Sequence, residues 1–150
     1  MMRKLLLLLI CFPSLCLGQG YKIRPLTSGE NTSLRGLSVV SDQVVWVSGS
    51  NGSVGRTIDG GKNWTWTKPA GYEKFDFRDV QGFDADRAIV VNAGSPAYVL
   101  QTKDGGTTWQ QTYSNLDSAI FLVGMGFWDE SRGMVFGDPI GNTKQVLETE

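Results

Sequence analysis

The chain has 150 residues, with 14 basic groups, 15 acidic groups, no histidine and a formal net charge of −1. A near-neutral balance excludes the strongly basic surface that nucleic-acid binding draws on. The lack of histidine removes the commonest general base and metal ligand.

Residues 1–18 open with Arg3 and Lys4 and continue as an apolar run from Leu5 to Leu17. This is the pattern of a secretory signal peptide, with cleavage expected after Gly18. The run contains Pro13 and is too short for a comfortable membrane span, so no stable membrane insertion is expected. A lipid anchor would need a small residue just before its cysteine, but Cys16 follows Leu15 and Cys11 follows Ile10. A secreted or periplasmic location follows.

The mature chain would carry twelve basic against fifteen acidic groups, a charge of −3, and no cysteine. Disulfides and thiol chemistry are thereby excluded. A metal would have to rest on oxygen ligands, and the carboxylates are not spaced as a calcium loop requires. No metal and no cofactor are expected.

From residue 33 onward, runs of β-branched and aromatic residues alternate with turns rich in Gly, Ser, Asn and Asp. Arg35-Gly-Leu37-Ser-Val39-Val40 parallels Arg78-Asp-Val80-Gln-Gly82-Phe83, with Gly124-Met-Gly126-Phe127 as a weaker third version. Second strands are expected at Val44 to Val47, Arg87 to Val91 and Gly133 to Phe136. The turns that follow are expected at Ser48 to Ser53, Ala93 to Pro96 and Gly137 to Asn142. A third strand such as Tyr98 to Thr102 and a fourth such as Trp64 to Thr67 complete each unit. No stretch shows sustained helical periodicity.

Between the third and fourth strands stands Thr57-Ile-Asp59-Gly60-Gly61-Lys-Asn63-Trp64, repeated 45 residues later as Thr102-Lys-Asp104-Gly105-Gly106-Thr-Thr108-Trp109. A fixed period of this length marks a repeat architecture. Paired glycines permit positive backbone dihedrals, and the carboxylates can accept from amides across the turn. Four short antiparallel strands per unit describe the blade of a β-propeller. The fold class expected is therefore all-β, with blade units at about 33–68, 76–113 and 119–150, the last cut short. A third motif would begin near Thr149, so the sequence reads as the front of a longer protein, about two and a half blades of a closed ring. One apolar blade face should then lie exposed.

The motif resembles the Asp-box, or BNR repeat, of sialidases, sortilin-type receptors and photosystem II assembly-factor-like propellers. The flanking Ser33 to Val40, Asp76 to Val80 and Phe136-Gly-Asp138-Pro139 most resemble the last of these, a group of secreted bacterial propellers. That resemblance implies a non-enzymatic scaffold that binds a protein or other macromolecule on the rim opposite the boxes. Thr57, Asp59, Gly60, Gly61 and Trp64, with Thr102, Asp104, Gly105, Gly106 and Trp109, then serve the blade rather than catalysis. The alternative implied by the sialidases is a glycan-active hydrolase with its catalytic residues in further blades. The match there is poor, since Lys22-Ile-Arg24-Pro25 places proline directly after the arginine. An oxidoreductase would need a strand, Gly-x-Gly-x-x-Gly, helix fingerprint that the chain lacks.

Candidate binding residues are Ser50, Asn51, Asn92, Ser95 and Asp138 on the opposite rim, joined by the connections Lys68 to Asp76 and Tyr113 to Ala119. Arg35 and Arg78 share a register near the channel mouth and could hold carboxylate or phosphate groups. The competing role is an interblade ion pair, for example with Asp79. Leu122 is the expected third-blade counterpart. Trp46, Trp66, Phe75, Phe77 and Trp128 are expected to pack rather than to stack on carbohydrate. The expected partner is thus a protein or a glycan; the sequence does not define an oligomeric state.

Overall fold

The computed structural model describes residues 30–149 together with Gly20 and residues 22–25. The expected signal peptide lies outside the described residues. Eleven strands and no helix occur among the described residues. The first sheet holds β1 (Leu34–Val39), β2 (Val45–Gly49), β3 (Val54–Thr57) and β4 (Thr65–Thr67) in that order. The second repeats the plan with β5 (Phe77–Gly82), β6 (Ala88–Asn92), β7 (Ala97–Thr102) and β8 (Gln110–Asn115). The third contains β9 (Leu122–Phe127), β10 (Gly133–Ile140) and β11 (Thr143–Glu148). All pairings are antiparallel meanders, two full propeller blades followed by three strands of another.

Blades stack because both faces of their strands are apolar. Trp46 and Val54 of the first blade meet Val80, Ala88, Val90 and Leu100 of the second, all buried. The far face of the second blade, Val91, Ala97 and Val99, packs on Ile120, Leu122 and Val135. Each such aliphatic or aromatic side chain contributes about 1.5–3 kcal/mol by leaving water. The innermost strands β1, β5 and β9 lie side by side. At the first interface a side chain on Gly82 has no room: a Cβ would stand 2.4 Å from Trp46 Cδ1. The indole closes on the bare backbone of Gly82 and donates from Nε1 to the Asp84 carbonyl at 2.8 Å.

Charged groups add to the stacking on one rim. Arg56 reaches the Ala85 carbonyl at 2.5 Å, and Arg87 forks onto Glu130 at 2.5 and 2.9 Å. Glu130, foremost, and Asp84 at 2.6 Å hold the Arg87 guanidinium in its charged form well beyond the ordinary range.

Among the described residues nothing covers the first blade's outward face. Leu37 and Val39 are 65% and 68% exposed beside a cleft of about 400 Å³ lined also by Val45, Val47, Trp64 and Trp66. This is the exposed apolar face that stacking from one side only would leave.

Three turn boundaries differ from the sequence reading. β2 keeps Ser48 and Gly49, so the turn expected from Ser48 starts at Ser50. β10 runs on through Asp138 and Pro139 to Ile140, so the turn shrinks to Gly141 and Asn142. Its register breaks between Gly137 and Ile140, and proline, which has no N–H to donate, sits at that irregularity. Tyr113 belongs to β8 opposite Val99, so the next connection begins at Leu116.

Candidate functional site

Strand direction sorts the turns onto two rims. Strands β1, β5 and β9 start on one rim, and the turns after them lie on the other, together with the turns between third and fourth strands. The box turns duly abut the first turns: Gly60 donates to the Gln43 carbonyl at 3.0 Å and Gly105 to that of Asp86 at 2.9 Å.

Each box is closed on itself. The buried Thr57 hydroxyl accepts from the Gly61 amide at 2.9 Å and donates to Asp59 Oδ1 at 2.9 Å. Asp59 Oδ1 also accepts from the amides of Lys62 and Asn63, while Oδ2 accepts from Asn63 Nδ2 at 2.7 Å. Thr102, Gly106, Asp104 and Thr108 repeat this net with distances of 2.6–3.0 Å. Both glycines of each box have φ between 71° and 87°, where a side chain would be strained. The Asn63 amides, foremost, bring the Asp59 carboxyl down to about 2, and the Thr108 hydroxyl and amide lower that of Asp104. A general acid in glycoside cleavage needs the opposite shift. Trp109 donates to the Gly106 carbonyl at 3.1 Å, whereas Trp64 stacks at 6.1 Å on Trp66.

The opposite rim carries a more open arrangement. A cleft of about 550 Å³ is lined by Arg35, Lys74, Phe75, Asp76, Arg78, Ser95 and Phe121 among others. A second of about 510 Å³ adjoins it along the innermost strands and shares Arg35 and Arg78. Both arginines arrive by the same device. The pairing of β1 with β2 skips Arg35, and that of β5 with β6 skips Arg78. Such an extra residue bends the strand and re-aims its side chain. The pairing of β9 with β10 skips Val123. The third-blade counterpart is therefore Val123, which lines the second cleft, and not Leu122, which is fully buried.

Arg35 pairs with Asp76 at 3.5 Å rather than with Asp79. Asp79 is committed elsewhere: its carboxylate accepts from the Val80 amide and, across the blade interface, from the Met125 amide, each at 2.9 Å. Arg78 lies 5.6 Å over the Phe121 ring. Among the described residues neither Arg78 nor Lys74 has a carboxylate within ion-pair distance.

The polar candidates divide. Ser95 lines the cleft and donates to the Asp117 carbonyl at 2.8 Å. Asn51, at φ 57°, is exposed and donates its amide to Asp76 Oδ1 at 3.2 Å. Ser50 lies within 3.2 Å of Thr32 Oγ1, and Asp138 is exposed on the third blade. Asn92 is withdrawn altogether. It is fully buried, donates to the Ala93 and Pro96 carbonyls and accepts from the Tyr98 amide, so it braces the turn that presents Ser95. The sequence reading put the connection Lys68 to Asp76 on this rim without singling out Lys74, and it missed Phe121; both belong to connections, where no strand alternation marks orientation.

The aromatics separate as well. Trp46 and Phe77 are core, Trp66 stacks on Trp64, and Phe75, which lines the cleft, meets Tyr98 edge-to-face and Tyr72 at a tilt. Trp128 is 61% exposed beneath Arg132. Among the described residues no three acidic, histidine or cysteine groups are placed to hold a metal ion. No helix among them is long and apolar enough to cross a membrane, which leaves β-barrels unaddressed.

Stacked four-stranded meanders with the repeated Thr-x-Asp-Gly-Gly turns on one rim define the chain as part of a β-propeller. Solved structures carry the same arrangement. YCF48 bound to D1 peptide superposes with a TM-score of 0.64 at 20% identity, over 81% of this chain and 38% of that one. YCF48 from Cyanidioschyzon merolae gives 0.61 at 16% identity, over 84% and 40%. The chain thus spans about two fifths of the length of these propellers, and what it shares with them at such identity is the fold. Neither a family pattern nor a curated protein matches the sequence.

Proposed function

We propose that this protein is a secreted or periplasmic, non-enzymatic propeller scaffold, assembly-factor-like, that binds a protein partner on the rim opposite its Asp-boxes. The observation that carries the reading is the convergence of Arg35, Arg78 and Lys74 on one cleft floored by Phe75 and Phe121. Guanidinium groups at a half-open apolar floor suit a peptide segment bearing carboxylates, which Arg engages bidentately. A YCF48 structure of the same fold is bound to a D1 peptide, a protein ligand. Arg3, Lys4 and the apolar run behind them support export, with the mature chain beginning at Gln19.

The test is capture of native partners from the extracytoplasmic fraction by tagged protein. Arg35→Ala with Arg78→Ala should weaken capture at least about tenfold, as loss of charge-assisted hydrogen bonds predicts. Unchanged capture would place the binding surface elsewhere. Product release from sialosides or β-glucans by the full-length protein would favour the hydrolase instead.

A further inference from the structure

One carboxylate already stands inside the cationic cleft. Asp76 and Arg35 are each 41% exposed, and their 3.5 Å separation exceeds the 2.7–2.9 Å of a strong charge-assisted bond. Asp76 is nonetheless anchored on its other side. Its Oδ1 accepts from the Asn51 amide at 3.2 Å and its main-chain carbonyl from the Ala93 amide at 2.9 Å. It cannot readily swing out when a ligand arrives. Asp79, the next carboxylate, spends both oxygens on main-chain amides.

We propose that Asp76 is a built-in competitor and specificity-determining residue: it occupies Arg35 and leaves Lys74 and Arg78 to engage the carboxylates of an acidic peptide. The proposal rests on the binding function assigned above to the same cleft. A fixed internal carboxylate weakens capture of anionic segments in general and restricts tight binding to partners whose remaining contacts compensate. Specificity is built by such a repulsive element as much as by attraction.

The experiment measures fluorescence anisotropy of an N-terminally labelled hexaglutamate peptide at low salt with the full chain. Asp76→Asn keeps an oxygen to accept from Asn51 and removes only the charge. It should bind about two- to five-fold tighter than the parent, the range expected of an exposed ion pair. Asp76→Glu should bind as the parent does. Asp42→Asn removes an exposed carboxylate from the turn after β1, on the other rim, and should change little. The gain should fade at ~1 M salt, where the screening length falls to about 3 Å. Equal affinity of Asp76→Asn and parent, or an equal gain from Asp42→Asn, overturns the proposal. If Arg78→Gln still weakens binding in that case, the cleft stands as the binding site. Binding by neither the parent nor Asp76→Asn overturns both. Thermal melts of every variant close to that of the parent confirm the fold, and if Asp76→Asn melts lower, Asp76→Gln supplies the second arm: it lacks the charge and should bind about two- to five-fold tighter than Asp76→Glu, its charged match in length.

Discussion

Gly82→Ala tests the close approach that joins the first two blades. The added Cβ would lie 2.4 Å from Trp46 Cδ1, 2.9 Å from Val40 Cγ2 and 3.0 Å from Trp46 Nε1. Carbon atoms rest at about 3.5–4.0 Å, so the indole must retreat by roughly 1 Å. Trp46 cannot retreat freely, because it is 1% exposed and tied to the Asp84 carbonyl at 2.8 Å. Overpacking of this kind costs about 1–3 kcal/mol. For a domain of this size that is a fall in Tm of about 3–10 °C. Differential scanning calorimetry and urea titration of the full chain would measure it. Trp46→Phe, which shortens the offending ring, should absorb part of the cost, giving an interaction energy of about 0.5–2 kcal/mol in a double-mutant cycle. A neutral Gly82→Ala, or strict additivity with Trp46→Phe, would refute the contact between Gly82 and the indole.

Two further predictions concern the box turns. Asp59 has its carboxyl lowered from 3.8 to about 2, so its contribution to stability is complete above pH ~4 and disappears as the pH falls towards 2. Urea midpoints should therefore drop between pH 4 and pH 2 in the parent and drop less in Asp59→Asn; equal slopes would count against the turn's role. Thr102→Val keeps the volume but deprives the buried Gly106 amide of its acceptor at 3.0 Å. The expected loss is about 1–3 kcal/mol by calorimetry, and a loss under 0.5 kcal/mol would mean that amide finds another partner.

The repeated Thr-x-Asp-Gly-Gly turns were legible because their bonds are local. Thr57, Asp59, Gly61 and Asn63 satisfy one another within seven residues, so residue type and order suffice to write the turn. The blade plan followed from the same local chemistry repeated at a fixed interval. Alternation of apolar residues, however, gives a strand's face and not its partner's register. The bulges at Arg35, Arg78 and Val123 are two-against-one pairings set by the neighbouring strand, which is why Leu122 was the expected counterpart and Val123 the observed one.

Asn92 shows the same limit from the other side. Its composition suited a ligand-binding turn, yet three hydrogen bonds consume it inside the blade.

By itself the sequence determined the all-β repeat, its period and the closed Thr-x-Asp-Gly-Gly turns. Tertiary structure alone decided the pairing of Arg35 with Asp76, 41 residues apart, the commitment of Asp79 to Met125, and the entry of Lys74 and Phe121 into the cleft. Those contacts form between blades, where stacking brings together residues that no local spacing relates.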